Sequence, residues 1–103
     1  MTNSSTYELK FGKHALRAWR KLDTTARRQF QKKLEMVLIN PHVPSMRLRK
    51  FDNSYRIKLR KSGYRLGYRV FDKVLLVVVI AIGHRDKNEI YDDFALYYHE
   101  GEL

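Results

Sequence analysis

Residues 74–82 read VLLVVVIAI, nine apolar positions without interruption. A surface helix would break such a run with polar residues every third or fourth position, and a half-buried strand would alternate. A continuous β-branched run next to a tight turn is a strand buried on both faces, and it belongs inside a sheet. Such a strand needs a neighbour on each edge. Residues 64–71 supply one, through the tight turn Phe71-Asp72-Lys73. The only other strand-like segment left for the second edge is residues 7–11, where Tyr7, Leu9 and Phe11 alternate with Glu8 and Lys10.

Between these segments the apolar period changes to that of helices. Ala15, Leu16, Trp19 and Leu22 recur at helical spacing, and so do Ala26, Phe30, Leu34, Val37 and Leu38. Asp23, Thr24 or Thr25 can cap the second helix, and Asn40-Pro41 ends it. Two amphipathic helices with so short a join form an antiparallel helical hairpin. Residues 41–53 read as a loop. Residues 54–60 and 64–71 alternate about Lys61-Ser62-Gly63, a hairpin turn with glycine available for positive φ. The last segment reads as a short helix, with Asp86 and Glu89 spaced as a capping box. The fold class is α+β, as a single domain over residues 1–103. An N-terminal strand precedes a helical hairpin packed on one face of an antiparallel four-stranded sheet, and a short C-terminal helix closes the chain. Residues 1–6 are polar and are expected to be disordered.

The strand alternation has a second consequence. In SYRIKLRKSGYRLGYRV, residues 54–70, the positions opposite the apolar ones are Arg56, Lys58 and Arg60 on one strand and Arg65, Gly67 and Arg69 on the next. These cations share one sheet face with no carboxylate between them. The whole chain has 21 Lys and Arg against 11 Asp and Glu, a net charge of +10. A solvated face mixes signs, whereas a single-sign face suits a polyanion, and arginine forks match phosphate oxygens. Parity assigns Tyr64 and Tyr68 to the core, which leaves Tyr91 as the better candidate to stack on a base. There is no cysteine. His14, His42, His84 and His99 are scattered without metal-ligand spacing, and no glycine-rich phosphate loop occurs, so neither metal nor cofactor is expected. The opening MTNSSTYELKFGKH has no apolar signal-peptide core. Nine apolar residues fall short of the ~20 that span a bilayer. No membrane association is expected, and the expected location is the cytoplasm.

Three stretches, ALRAWRKLDTTARRQFQKKLEMVL, YRIKLRKSGYRLGYRV and VVVIAIGHRDKNEIY, together resemble the RelE toxins of bacterial toxin–antitoxin modules, over about residues 7–95. RelE-like toxins are small endoribonucleases that cut messenger RNA in the ribosomal A site. The resemblance implies a helical hairpin over an antiparallel sheet. Its implied partners are a RelB-like antitoxin that wraps the toxin, the ribosome with its rRNA and message, and operator DNA bound through the antitoxin complex, which represses its own operon. Carried over by position, the family's basic pair falls at Arg56 and Lys58, its phosphate-binding arginine at Arg65, its second arginine at Arg85 and its tyrosine at Tyr91. The catalytic set is then Lys58, Arg65, Arg85 and Tyr91, with Arg56, Arg60, Arg69 and His84 binding RNA. Arg56 and His84 stand where the family pattern and a close relative carry lysine.

The implied chemistry suits those residue types. The RNA's own 2′-hydroxyl attacks the adjacent phosphate, and cations stabilise the added negative charge without a metal. Arg56 cannot act as a base, because a guanidinium stays protonated. Three possibilities remain for the proton: Lys58 with its pKa depressed by neighbouring cations, His84, or no strong base at all. Two other functions fit the same scaffold, a noncatalytic gyrase inhibitor like the ParE toxins and a simple nucleic-acid-binding module. Residues 92–103 mix Phe94, Leu96, Tyr97 and Tyr98 with Asp92, Asp93, Glu100 and Glu102. They read either as a weak terminal helix that antitoxin binding displaces or reorders, or as a fixed terminal helix.

Overall fold

A computed structural model of the protein describes residues 6–85 and 89–102. Strand β1 (Glu8–Phe11) leads into helices α1 (Lys13–Lys21) and α2 (Thr24–Ile39). Strands β2 (Ser54–Lys58), β3 (Tyr64–Phe71) and β4 (Leu76–His84) follow, and helix α3 (Glu89–Tyr97) comes last. The disorder expected at residues 1–6 falls, apart from Thr6, outside the described residues. The capping box of Asp86 and Glu89 likewise rests on side chains outside them. No helix among the described residues is long and apolar enough to cross a membrane.

The four-stranded sheet has the order β1-β4-β3-β2, so the apolar run of β4 lies between β1 and β3. One expectation needs correction. The sheet is mixed, because β1 pairs with β4 in parallel, from Glu8 opposite Leu76 to Phe11 opposite Val79. A tight turn forces its two strands antiparallel, as it does for β2–β3 and β3–β4. Nothing comparable joins β1 to β4, since the helical hairpin and two strands intervene. Alternation shows which residues of β1 are buried and leaves its direction open.

The helical hairpin packs on one sheet face. Asp23 takes the capping role at α2, its Oδ1 accepting from the Ala26 amide at 2.7 Å. Phe30 and Leu34 of α2 are buried with Ile57, Leu66, Tyr68, Val77 and Val79 of the sheet. At the β2–β3 turn, Gly63 adopts φ +81°, and its amide donates to the Leu59 carbonyl at 2.9 Å.

Helix α3 covers part of the opposite face, which strand parity alone left to the cations. Ile90 and Phe94 are buried there with Leu48, Val78, Ile80 and Ala81. Two features of the sheet admit them. The β3–β4 register shifts after Gly67, which pairs with Ala81 while Tyr68 pairs with Val79. This bulge turns the consecutive residues Ile80 and Ala81 toward the same side. Gly67 then leaves room for a ring, for a Cβ there would stand 2.7 Å from Cδ2 of Phe94.

A chain of polar contacts ties the sheet end to the loop after α2. The Tyr7 hydroxyl donates to Asp72 Oδ1 at 2.7 Å. His42 Nε2 lies 2.7 Å from the same oxygen, and His42 Nδ1 lies 2.7 Å from the Tyr55 hydroxyl. The His42 and Tyr7 hydrogen bonds hold the Asp72 carboxyl below its ordinary value of 3.8.

Two tests follow from this packing. Gly67→Ala should cost ~1–3 kcal/mol by overpacking Phe94, and the cost should shrink in a Phe94→Leu background. Equal costs in both backgrounds, measured by urea unfolding, would disprove the contact. A depressed carboxyl contributes stability that is present above its unfolded value and is lost as the pH falls through the folded value. Stability should therefore decline below about the ordinary 3.8 of Asp72, and Asp72→Asn should flatten that acid limb in unfolding curves recorded across pH.

Candidate functional site

The β2–β3 ladder sets the geometry of the cationic face. Lys58 stands directly opposite Arg65, Arg56 opposite Gly67, and Ser54 opposite Arg69. Opposed like charges repel, and Lys58 shows the effect. Its amine is held below the ordinary lysine range chiefly by Arg56, then by partial desolvation, Arg65 and Arg60.

Two further candidates arrive from the end of β4. The Arg85 amide donates to the Gly63 carbonyl at 2.9 Å, and its guanidinium reaches the Arg60 carbonyl at 3.5 Å. This fastens Arg85 to the β2–β3 turn, beside Arg60 and near Lys58 and Arg65. His84 pairs in register with Tyr64, and its ring stands edge-on to the Tyr64 ring with centroids 5.4 Å apart. Its Nε2 is 2.7 Å from the Ser62 carbonyl. A carbonyl only accepts, so Nε2 carries the proton in this contact and cannot take another there.

Tyr91 comes from α3, beside the buried Ile90. Arg56 donates to its hydroxyl at 3.3 Å and lies 5.8 Å from its ring centre. Lys50 Nζ lies 5.9 Å from the same ring. The structure therefore gathers Arg56, Lys58, Arg60, Arg65, His84, Arg85 and Tyr91 around one end of the face.

Arg69 stands apart. Its guanidinium lies 3.9 Å from the Tyr98 ring centre and 4.6 Å from that of Phe71. It donates to the Tyr98 carbonyl at 3.0 Å and pairs with Glu102. The Arg69 hydrogen bond, seconded by His99, keeps the Glu102 carboxyl below its usual range. In this structure Arg69 fastens the tail after α3, its Nη1 donating to the Tyr98 carbonyl and to Glu102.

Two cations escaped the sequence reading. Lys50 precedes β2 in a loop with no period to expose it. Lys33 belongs to α2, yet with Lys58 and Arg60 it lines clefts along the outer edge of β2. The many basic residues of α2 gave no sign which of them faces the sheet edge. Among the described residues, no three His, Cys, Asp or Glu side chains gather as a metal site.

This arrangement can hold phosphate, concentrate positive charge at one atom, and offer an aromatic ring beside it. Comparison with known proteins places the chain as a whole. The family model for the ParE toxin of the type II toxin–antitoxin system parDE matches residues 9–89. The mRNA interferase toxin RelE of Escherichia coli K12 is 46% identical over 87 residues, which span 84% of this chain and 92% of that one. A putative RelE-like toxin protein of E. coli is 45% identical over 86 residues, spanning 84% of this chain and 90% of its own. A double-arginine mutant of E. coli RelE in the free state superimposes with a TM-score of 0.82 at 43% identity, covering 88% of this chain and 96% of that one. The toxin in the intact E. coli RelBE complex does so at 0.74 and 47%, covering 76% and 95%. With matching sequence along most of its length and the same architecture, the chain belongs to the RelE toxins of the RelE/ParE superfamily.

Proposed function

We propose that this chain is a ribosome-dependent endoribonuclease that cuts messenger RNA in the ribosomal A site, in the cytoplasm, and so stops translation. The observation that carries the reading is Lys58 set against Arg65, with Arg56 and Tyr91 beside them, in a chain so similar to an mRNA interferase.

In the proposed reaction the 2′-oxygen forms a bond to the neighbouring phosphorus as the bond to the 5′-oxygen breaks. The products are a 2′,3′-cyclic phosphate and a 5′-hydroxyl, the proton lost by the 2′-hydroxyl being balanced by one that the leaving 5′-oxygen takes from protonated Lys58 or from solvent. Arg65 holds the phosphate. Arg85 serves the phosphate or the leaving oxygen. Tyr91 stacks on a base and orients the nucleotide. Lys58 takes the proton of the 2′-hydroxyl or stabilises the oxygen as charge builds. Each unit by which its neighbours lower a lysine pKa raises its neutral fraction at pH 7 about tenfold. The Ser62 contact at 2.7 Å occupies Nε2 of His84, so only its Nδ1 could compete with Lys58 in this role. Arg56 and Arg60 add phosphate contacts, and Arg69 contributes only where the tail releases it.

A RelB-like antitoxin is the proposed protein partner, with operator DNA bound through that complex in autorepression. Such cover would relieve the repulsion of the cationic face. The family model's name keeps the gyrase-inhibitor alternative in view, whereas both curated relatives compared above carry RelE names. A supercoiling assay separates the two.

Purified protein incubated with programmed ribosomes should cut the message within the A-site codon and leave the ends described. Intact message, with antitoxin binding confirmed, would refute the reading. In single-turnover cleavage Lys58→Ala should lose ~10²-fold or more, the scale of a positioned acid or base, and His84→Ala much less. A His84 defect larger than the Lys58 defect would reverse the assignment. Antitoxin binding should also lower amide protection across α3 and the residues after it, because displacement must extract Phe94 from its buried site. Unchanged hydrogen exchange there would count against displacement.

A further inference from the structure

Strand β2 forms one edge of the sheet, and its outer side is only partly covered. Arg47 bridges to Tyr55, and the Leu48 amide donates to the Ser54 carbonyl at 2.9 Å. Past Tyr55 the edge opens onto a cleft of about 620 Å³ between β2 and the last turns of α2. That volume lies within the ~300–1,000 Å³ of sites that hold a small ligand. A second cleft, about 460 Å³, shares Lys33, Lys58 and Arg60 with the first and extends it toward the β2–β3 turn.

The lining is specific in charge. Lys32, Lys33, Arg56, Lys58, Arg60 and Lys61 contribute six cations, and among the described residues no Asp or Glu lines either cleft. Apolar surface lies between them, including Met36, which is 73% exposed, and Met46 from the loop after α2. Thioethers pack favourably against aromatic rings, so methionines among cations suit a base whose phosphates lie at the rim. A peptide strand fits less well. The uncovered part of β2 is only Arg56–Lys58, at the short limit of strand pairing, and its main-chain groups add little beside six cations.

We infer that these joined clefts hold the single-stranded RNA that flanks the cut site, with Lys33 on a phosphate and Met36 and Met46 against a base. The inference rests on the proposed nuclease reading, because Arg56 and Lys58 belong to both surfaces. An RNA strand leaving Lys58 and Arg65 crosses the edge of β2 and enters the cleft directly. The subsite lengthens the contact with message beyond the scissile nucleotide and adds a residue of the helical hairpin to it.

Binding of uncleavable RNA tests this. Two 2′-O-methyl oligonucleotides, about two and about eight nucleotides long, fall below and within the site sizes common for single strands. Fluorescence anisotropy against salt gives the slope for each. Lys33 is exposed on a helix, where alanine preserves the fold. Lys33→Ala should flatten the slope for the long RNA by about 0.7, the share of one phosphate contact on a single strand, and leave the short RNA unchanged. Met36→Ser should weaken the long RNA without altering its slope. An unaltered slope for Lys33→Ala, or an equal change for both lengths, overturns the subsite. So does loss of poly-glutamate binding in Lys33→Ala with RNA binding intact, which would assign the cleft to an acidic protein. Cleavage of message by wild type alongside an unaltered Lys33→Ala slope would refute the subsite and spare the nuclease reading. Absence of cleavage with a flattened slope would do the reverse.

Discussion

Lys58 opposite Arg65 is the contact on which the rest of the site depends, and it is unfavourable. What sustains it lies on the other side of the same strands. Ile57 and Leu66, next to these cations in the chain and facing each other across the ladder, are buried under the helical hairpin. Burial of such a side chain contributes about 1.5–3 kcal/mol, while a cross-strand pair is worth roughly 0.2–1 kcal/mol either way. The apolar side therefore fixes the register, and the charges must accept it. A slip of β2 by one residue would send Lys58 into the core and bring Ile57 to the surface. No change of register relaxes the repulsion short of unfolding the hairpin.

The cationic face is narrower than alternation alone implies, because α3 takes the rest of that side. Gly67 sits in the middle of the cation series and has no side chain, which lets Phe94 descend onto the sheet. Phe94 and Ile90 in turn carry Tyr91 to Arg56. One absent side chain thus links the packing of a terminal helix to the position of Tyr91, the proposed stacking residue. At the far end Arg69 holds Tyr98 and Glu102 and fixes where the tail lies after α3. The same strand supplies Arg65, the proposed phosphate ligand, at one end and a structural arginine at the other. Their difference comes from what α3 brings to each.

What could be read from the chain follows the range of the forces involved. The central place of β4 was legible because double burial leaves an unmistakable composition, and a cap at Asp23, Thr24 or Thr25 was legible because capping is local, the structure choosing Asp23. The parity of Arg56, Lys58 and Arg65 followed from the period of a strand. The direction of β1 was not legible, for burial constrains faces and not polarity. Cover by Phe94 and Ile90 was missed because a short amphipathic helix does not say which face it will find. Arg69 reads like its neighbours in sequence, and only the tail, closing 29 and 33 residues later through Tyr98 and Glu102, sets it apart. Lys33 was hidden among the other basic residues of α2 for the same reason.

The cost of the face and its proposed chemistry are one quantity. Arg56, Arg65 and Arg60 lower the proton affinity of Lys58, which destabilises the folded chain by the same free energy that frees the amine from its proton. In the proposed reaction an RNA phosphate brings negative charge into that cluster, and the five-coordinate phosphorus brings more. Each addition offsets the arginines and raises the proton affinity of Lys58 again. The amine is thus least basic when the face is empty and becomes more basic as the 2′-hydroxyl must release its proton. A single fixed lysine beside one arginine would change far less, because the swing is set by how much like charge the substrate neutralises. The crowding of cations on β2 and β3, unfavourable to the free fold, gives the site its response to the arriving phosphate.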